Sequence, residues 1–121
     1  MYKHLITIAI AMLSLDIIYL KAISAHFNKL MTNVQGKPIT IKYLPVLLCY
    51  SLLIFVFYYF IIKDNRSVLD AFLLGFAIYG IYDTTNMATI DNWDWKTVAL
   101  DTTWGGILFA LTHIVTNRIL N

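Results

Sequence analysis

Charge is scarce in this chain. Charged residues make up 13% of it, against 60% hydrophobic residues and a mean hydropathy of +0.70. Soluble domains carry about 25% charged residues. So short a chain with so few polar groups argues against a soluble fold, and lipid is the solvent that suits it. Cysteine is scarcer still. Cys49 stands alone, which excludes an internal disulfide and leaves the redox compartment open. It lies in an apolar run and reads as a small core residue, not as a thiol with chemistry to do.

Other absences narrow the function. His4, His26 and His113 lie far apart, and no two share a helix face, so a histidine-rich metal centre is not expected. There is no glycine-rich phosphate loop and no Gly-x-Ser-x-Gly elbow. The net charge is only +2 and the basic residues are scattered, which excludes nucleic acid as a partner. No complete catalytic constellation is visible, the residues name no cofactor, and no metal ligand set stands out.

What the chain does have is long apolar runs. From Leu44 to Ile62 no residue is charged. That run of roughly 19 residues suffices to cross a ~30 Å hydrocarbon core as a helix. A first apolar run from Leu5 to Leu20 follows Lys3 and His4, as in a signal peptide, and Ala22-Ile23-Ser24-Ala25 imitates a cleavage site. Asp16 inside the run argues for a retained helix, because neighbouring helices can shelter a carboxyl that a signal core normally lacks. The pattern predicts an all-α integral membrane bundle of four transmembrane helices at about 4–21, 41–62, 67–83 and 95–119, in one domain over 1–121. Ile23, Phe27, Leu30, Met31 and Val34 recur at helical spacing with Lys21, His26 and Lys29 between them. Residues 22–34 therefore read as an amphipathic segment, lying in the interface or extending helix one beyond it. Gly36 and Pro38 should stop it. Ser67 followed by Asp70 reads as the cap of helix three. The stretch from Asp83 to Lys96 reads as a polar loop, with Trp93 and Trp95 at headgroup level.

Two patterns on the helices stand out. Small residues at Gly75, Gly80, Gly105, Gly106 and Ala110 predict close contact between helices three and four. Polar residues form a second pattern. A charged side chain at the centre of a membrane helix costs at least ~2.5–3.5 kcal/mol, so Asp16, Asp83 and Asp101 each need a reason to be there. In an alternating four-helix arrangement all three lie near the same membrane face. Tyr79, Asp83 and Asn86 share one stripe of helix three, and Asp101 and Trp104 share one of helix four; Tyr82 adjoins Asp83 and Tyr19 lies one turn beyond Asp16. Asp83 also faces the negative end of its own helix dipole and calls for compensation by Lys42, Lys96, a bound cation or a proton. Two readings stay open. One is a hydrogen-bonded knot that locks the helices. The other is a site for a proton, a polar headgroup or a hard cation such as Mg²⁺ or Ca²⁺.

The run Tyr79-Gly80-Ile81-Tyr82-Asp83-Thr84-Thr85-Asn86-Met87-Ala88-Thr89, then Trp93, then Asp101-Thr102-Thr103-Trp104-Gly105, resembles a family of small four-helix bacterial membrane proteins. That family is grouped as a domain of unknown function. Its signature is roughly Tyr-Asp-x-Thr-Asn-x-Ala-Thr, a Trp, then Asp-x-x-Trp-Gly. Asp16 and Tyr50 also fall where the family pattern has them. Family members usually have Trp-Pro where this chain has Trp93-Asp94, a difference that bears on how helix four starts. The resemblance implies four helices and flags Asp16, Tyr82, Asp83, Asn86, Asp101, Trp104 and Gly105, but implies no activity. The expected function is non-enzymatic, that of a small carrier or an accessory membrane subunit. A carrier this small would need a homo-oligomer or a membrane-protein partner to enclose a path. The alternative is a small interfacial enzyme or binding protein acting on a lipid or other amphipathic ligand, with the aspartates as acid/base groups or cation ligands.

Overall fold

In the computed structural model, residues 2–35 and 42–120 are described. They form four helices and no strand: α1 (Tyr2–Gln35), α2 (Tyr43–Phe57, continued by a wider π turn at Tyr58–Ile62), α3 (Val68–Thr89) and α4 (Trp95–Leu120). Each contains a segment long and apolar enough to cross a membrane: Tyr2–His26, Tyr43–Ile62, Val68–Thr89 and Trp95–Leu120. The protein is thus a multi-pass integral membrane protein, and its large apolar side chains face outward in numbers no aqueous surface would tolerate. Ile6, Ile10, Leu47, Leu52, Leu73 and Ile107 all belong to this outer, lipid-facing coat.

α4 is the central helix. It packs along α3 on one side and against α1 on another. Leu108, Phe109 and Thr112 are wholly enclosed there. Phe109 meets Phe57 of α2 edge-on at 5.3 Å between ring centres, in a core completed by Ile8, Met12 and Ala71. The α3–α4 seam depends on missing side chains. A Cβ on Gly75 would fall on the carbonyl of Gly105, one on Gly105 would enter the Tyr79 ring, and one on Gly106 would come within 2.6 Å of Phe72. Gly80 is looser, with its nearest neighbour, Thr102 Cγ2, 3.3 Å from such a Cβ. Ala110 is half-buried.

The helix ends follow local chemistry. Ser67 caps α3 by accepting the Asp70 N–H at 3.1 Å, and Arg66 Nε pairs with Asp70 at 2.9 Å across the same turn. Asp94 caps α4 by accepting the Thr97 N–H at 2.8 Å. Its bonds from the Thr97 side chain and backbone hold the Asp94 carboxyl below the usual carboxylate range. His113 Nε2 donates to the Arg66 carbonyl at 2.7 Å and ties α4 to the α2–α3 turn. His113 thus sits at the interface between α4 and the α2–α3 turn.

One expectation is corrected. The stretch from Asp83 onward is not loop: α3 continues to Thr89, where Thr84 and Thr89 bond back to the Gly80 and Thr85 carbonyls at 2.6 and 2.8 Å. The connection to α4 is only the few residues from Ile90 to Asp94. Trp93, in that connection, is buried against Val98, Met87 and Ile90, while Trp95 is exposed. Of the two readings of the segment after Lys21, the extension is the one seen: it continues α1 without a break, and His26 Nε2 meets Thr97 Oγ1 at 2.8 Å, fixing the extension to the start of α4. The side chains of Phe27, Leu30, Met31 and Val34 lie outside the described set, as does the expected stop at Gly36 and Pro38.

The alternation of four spans makes a topological prediction. Reporter fusions at Asn65 and after Leu120 should report the same side of the membrane, and a fusion at Asn92 the other. Opposite signals at Asn65 and Leu120 would remove one of the four spans.

Candidate functional site

The three aspartates of the membrane region come from three helices. Asp16 lies on α1, Asp83 on α3 and Asp101 on α4, with 5%, 0% and 7% of their surface exposed. Asp101 is six residues into α4, about 9 Å along the helix from Trp95 at ~1.5 Å per residue. α3 ends and α4 begins at the same side of the bundle, which brings Asp83 and Asp101 to one level.

Asp16 is fully engaged. Its Oδ1 accepts the Trp104 indole N–H at 2.9 Å, and its Oδ2 accepts the hydroxyl of Tyr50 on α2. Asp101 Oδ1 accepts the Tyr19 hydroxyl at 2.8 Å. The Tyr19 and Trp104 rings stack face to face, 4.6 Å apart and 4° from parallel. One aromatic pair thus serves two acids, each ring reaching an acid on the other's helix. This knits α1 to α4, and Tyr50 adds α2.

Asp83 is different. It is completely enclosed, yet neither of its oxygens has a hydrogen-bond partner. Its polar neighbours are the Asp101 carboxyl and the Trp93 indole, whose N–H also lacks a partner. The first is another acceptor. Buried polar groups are normally paired, and a charged one far more so. Neither Lys42 nor Lys96 forms an ion pair with Asp83; among the described residues the ion pair is Arg66–Asp70, in the turn before α3.

The other residues singled out from the sequence divide. Tyr79 lies half-buried with its ring over Gly105. Asn86, almost one turn beyond Asp83, is half-buried at the edge of the cluster. Tyr82 does not join it. Neighbouring helix positions point ~100° apart, so with Asp83 inward Tyr82 faces out and is 57% exposed. The donor that sequence reasoning did not place is Tyr50, whose only signal was its position in the family pattern. Tyr19 was noted, but for its closeness to Asp16; its bond crosses to Asp101 instead.

Beside the cluster, Tyr19 and Trp104 form part of the wall of an apolar groove of about 480 Å³, with Lys96, Leu100, Thr103 and Ile107. Among the described residues no three His, Cys, Asp or Glu side chains converge closely enough to form a metal-ligand set.

No curated protein and no solved structure matches the chain. A family model described as "Predicted membrane protein (DUF2177)" matches residues 1–117, and the chain belongs to that family of membrane proteins of unknown function.

Proposed function

We propose that this protein is a small non-enzymatic membrane carrier, or the accessory subunit of one, and that the Asp16–Asp83–Asp101 cluster is its ion-binding site. The observation that supports this reading is Asp83: a carboxyl enclosed on every side, making no hydrogen bond, beside a second carboxyl. A group placed only to lock helices together would resemble Asp16, with both oxygens engaged. An intramembrane carboxyl left open is the usual mark of a proton or ion path. At this size the path would be completed by a second copy or by another membrane protein.

The test is a flux measurement. Liposomes containing the protein and an internal pH-sensitive dye should respond to an imposed membrane potential faster than empty liposomes. Asp83→Asn should reduce the response to the empty-liposome rate while leaving the protein folded. Equal rates for the protein and for Asp83→Asn would contradict the assignment.

A second reading is favoured by the groove. Its apolar wall with Lys96 as the charged lining residue suits an anionic amphiphile, and would make this a lipid-binding protein or interfacial enzyme. That reading requires an anionic lipid to co-purify with the protein and to be lost from Lys96→Gln.

A further inference from the structure

We propose that Asp83 and Asp101 share a single exchangeable proton inside the membrane, and that Tyr19 is the side chain through which this proton is exchanged. This rests on the reading of the cluster as an ion site and names its occupant. The starting point is the pair itself. Two carboxylates side by side, both more than nine-tenths buried, repel strongly in a medium of low dielectric. One proton between them turns the repulsion into a hydrogen bond. It gives Asp83 the partner it lacks and leaves Asp101 free to keep its bond from Tyr19.

The surroundings fit one proton better than a metal ion. The groups facing the pair are Asp16, Tyr19 and His26 from α1, Trp93 from the connection before α4, and Tyr79 from α3. His26 is engaged with Thr97, and Asp16 spends both oxygens on Trp104 and Tyr50. A divalent cation would want six or more oxygens. Among the described residues the pair has no converging third ligand of the kind a metal requires.

Access follows from the position of Tyr19. Its ring borders the groove that opens between α1 and α4, and its hydroxyl reaches Asp101. A phenol both donates and accepts. When the pair is ionised, the phenol can give its proton to Asp101 while its oxygen takes another from a hydronium ion at the mouth of the groove, which leaves as water, so that Tyr19 ends neutral; the same steps in reverse release the proton to water. The proton delivered to Asp101 then lies between it and Asp83. Trp104, stacked on Tyr19, keeps the ring in place for this exchange.

Infrared spectroscopy of the whole protein in lipid tests the proposal. At neutral pH it should show the carbonyl band of one protonated carboxyl, which ionised carboxylates do not give. Aspartate labelled with ¹³C at the side-chain carboxyl should shift the band in the unsubstituted protein, so the test does not depend on a variant folding. The band should vanish in Asp83→Asn and in Asp101→Asn and persist in Asp16→Asn. Tyr19→Phe should keep the band and slow its shift in D₂O by roughly tenfold. The absence of a band, a band that the label leaves unmoved, or one lost only in Asp16→Asn would overturn the shared proton. So would loss of the band on adding Mg²⁺ or Ca²⁺, which would assign the site to a metal. An unchanged exchange rate in Tyr19→Phe would overturn the role of Tyr19. Liposomes without flux but with the band would sink the carrier reading alone.

Discussion

Gly75→Leu is expected to force α3 and α4 apart and to lower the melting temperature in mild detergent by ~10 °C or more. The Cβ alone would meet the Gly105 carbonyl and come within 2.7 Å of the Phe109 ring. A flexible side chain could move aside, but the backbone of a packed helix cannot without opening the seam. Inserting bulk into a well-packed core costs about 1–3 kcal/mol where neighbours can yield, and here the first neighbour cannot. Gly80→Ala is the control. Its added methyl would meet Thr102 Cγ2 at 3.3 Å, a contact that a small shift of the threonine relieves. It should melt within a few degrees of the parent. If Gly75→Leu melts like the parent, α3 is not seated on α4 as described.

Asp16→Ala should be the most damaging change among the acids. It leaves the Trp104 N–H and the Tyr50 hydroxyl without their acceptor. Interhelical hydrogen bonds in lipid contribute ~1–2 kcal/mol at most, and an orphaned buried donor loses a similar amount. The expected loss is about 2–4 kcal/mol for the two together, by the same figures. A double-mutant cycle separates the bond from a general effect of the truncation. In a Tyr50→Phe background Asp16→Ala should cost measurably less, because one of the two donors has already gone. Equal losses in both backgrounds would mean that Tyr50 does not hold Asp16.

Much of this arrangement was legible in the residues. Leu44–Ile62 could only be a span, and Ser67 with Asp70 marked a helix start. The glycines at 75, 105 and 106 marked a close seam, because a missing side chain lets the backbone or a ring of the neighbouring helix sit against the helix. The depth of Asp16, Asp83 and Asp101 followed from counting along alternating helices. Other features were not legible, for physical reasons. Hydropathy ends α3 near Asp83, yet the helix runs on to Thr89, with the hydroxyls of Thr84 and Thr89 satisfied by carbonyls one turn earlier. Aromatic-belt reasoning speaks to the level of Trp93 and not to its neighbours, so its burial against Met87, Ile90 and Val98 was not legible. Tyr82 and Asp83 are adjacent in the chain, and only the helix phase shows that they point different ways. Tyr50 sits in an almost uniformly apolar helix, where nothing local distinguishes a lipid-facing tyrosine from one bonded to an aspartate on the next helix.

The contrast between Asp16 and Asp83 also separates a lock from a site. Asp16 holds helices together through Trp104 and Tyr50; the bond proposed for Asp83, a proton shared with Asp101, is one that an asparagine amide can supply in its place. Asn at position 83 keeps the size of the side chain, carries no charge and can donate to Asp101, so the substitution should cost little stability. The most direct measurement is therefore thermal unfolding of Asp83→Asn beside Asp16→Ala, in the same detergent. The account predicts that Asp83→Asn melts close to the temperature of the parent while Asp16→Ala melts well below it. A loss in Asp83→Asn as large as that in Asp16→Ala would contradict the account and make the cluster a structural lock throughout.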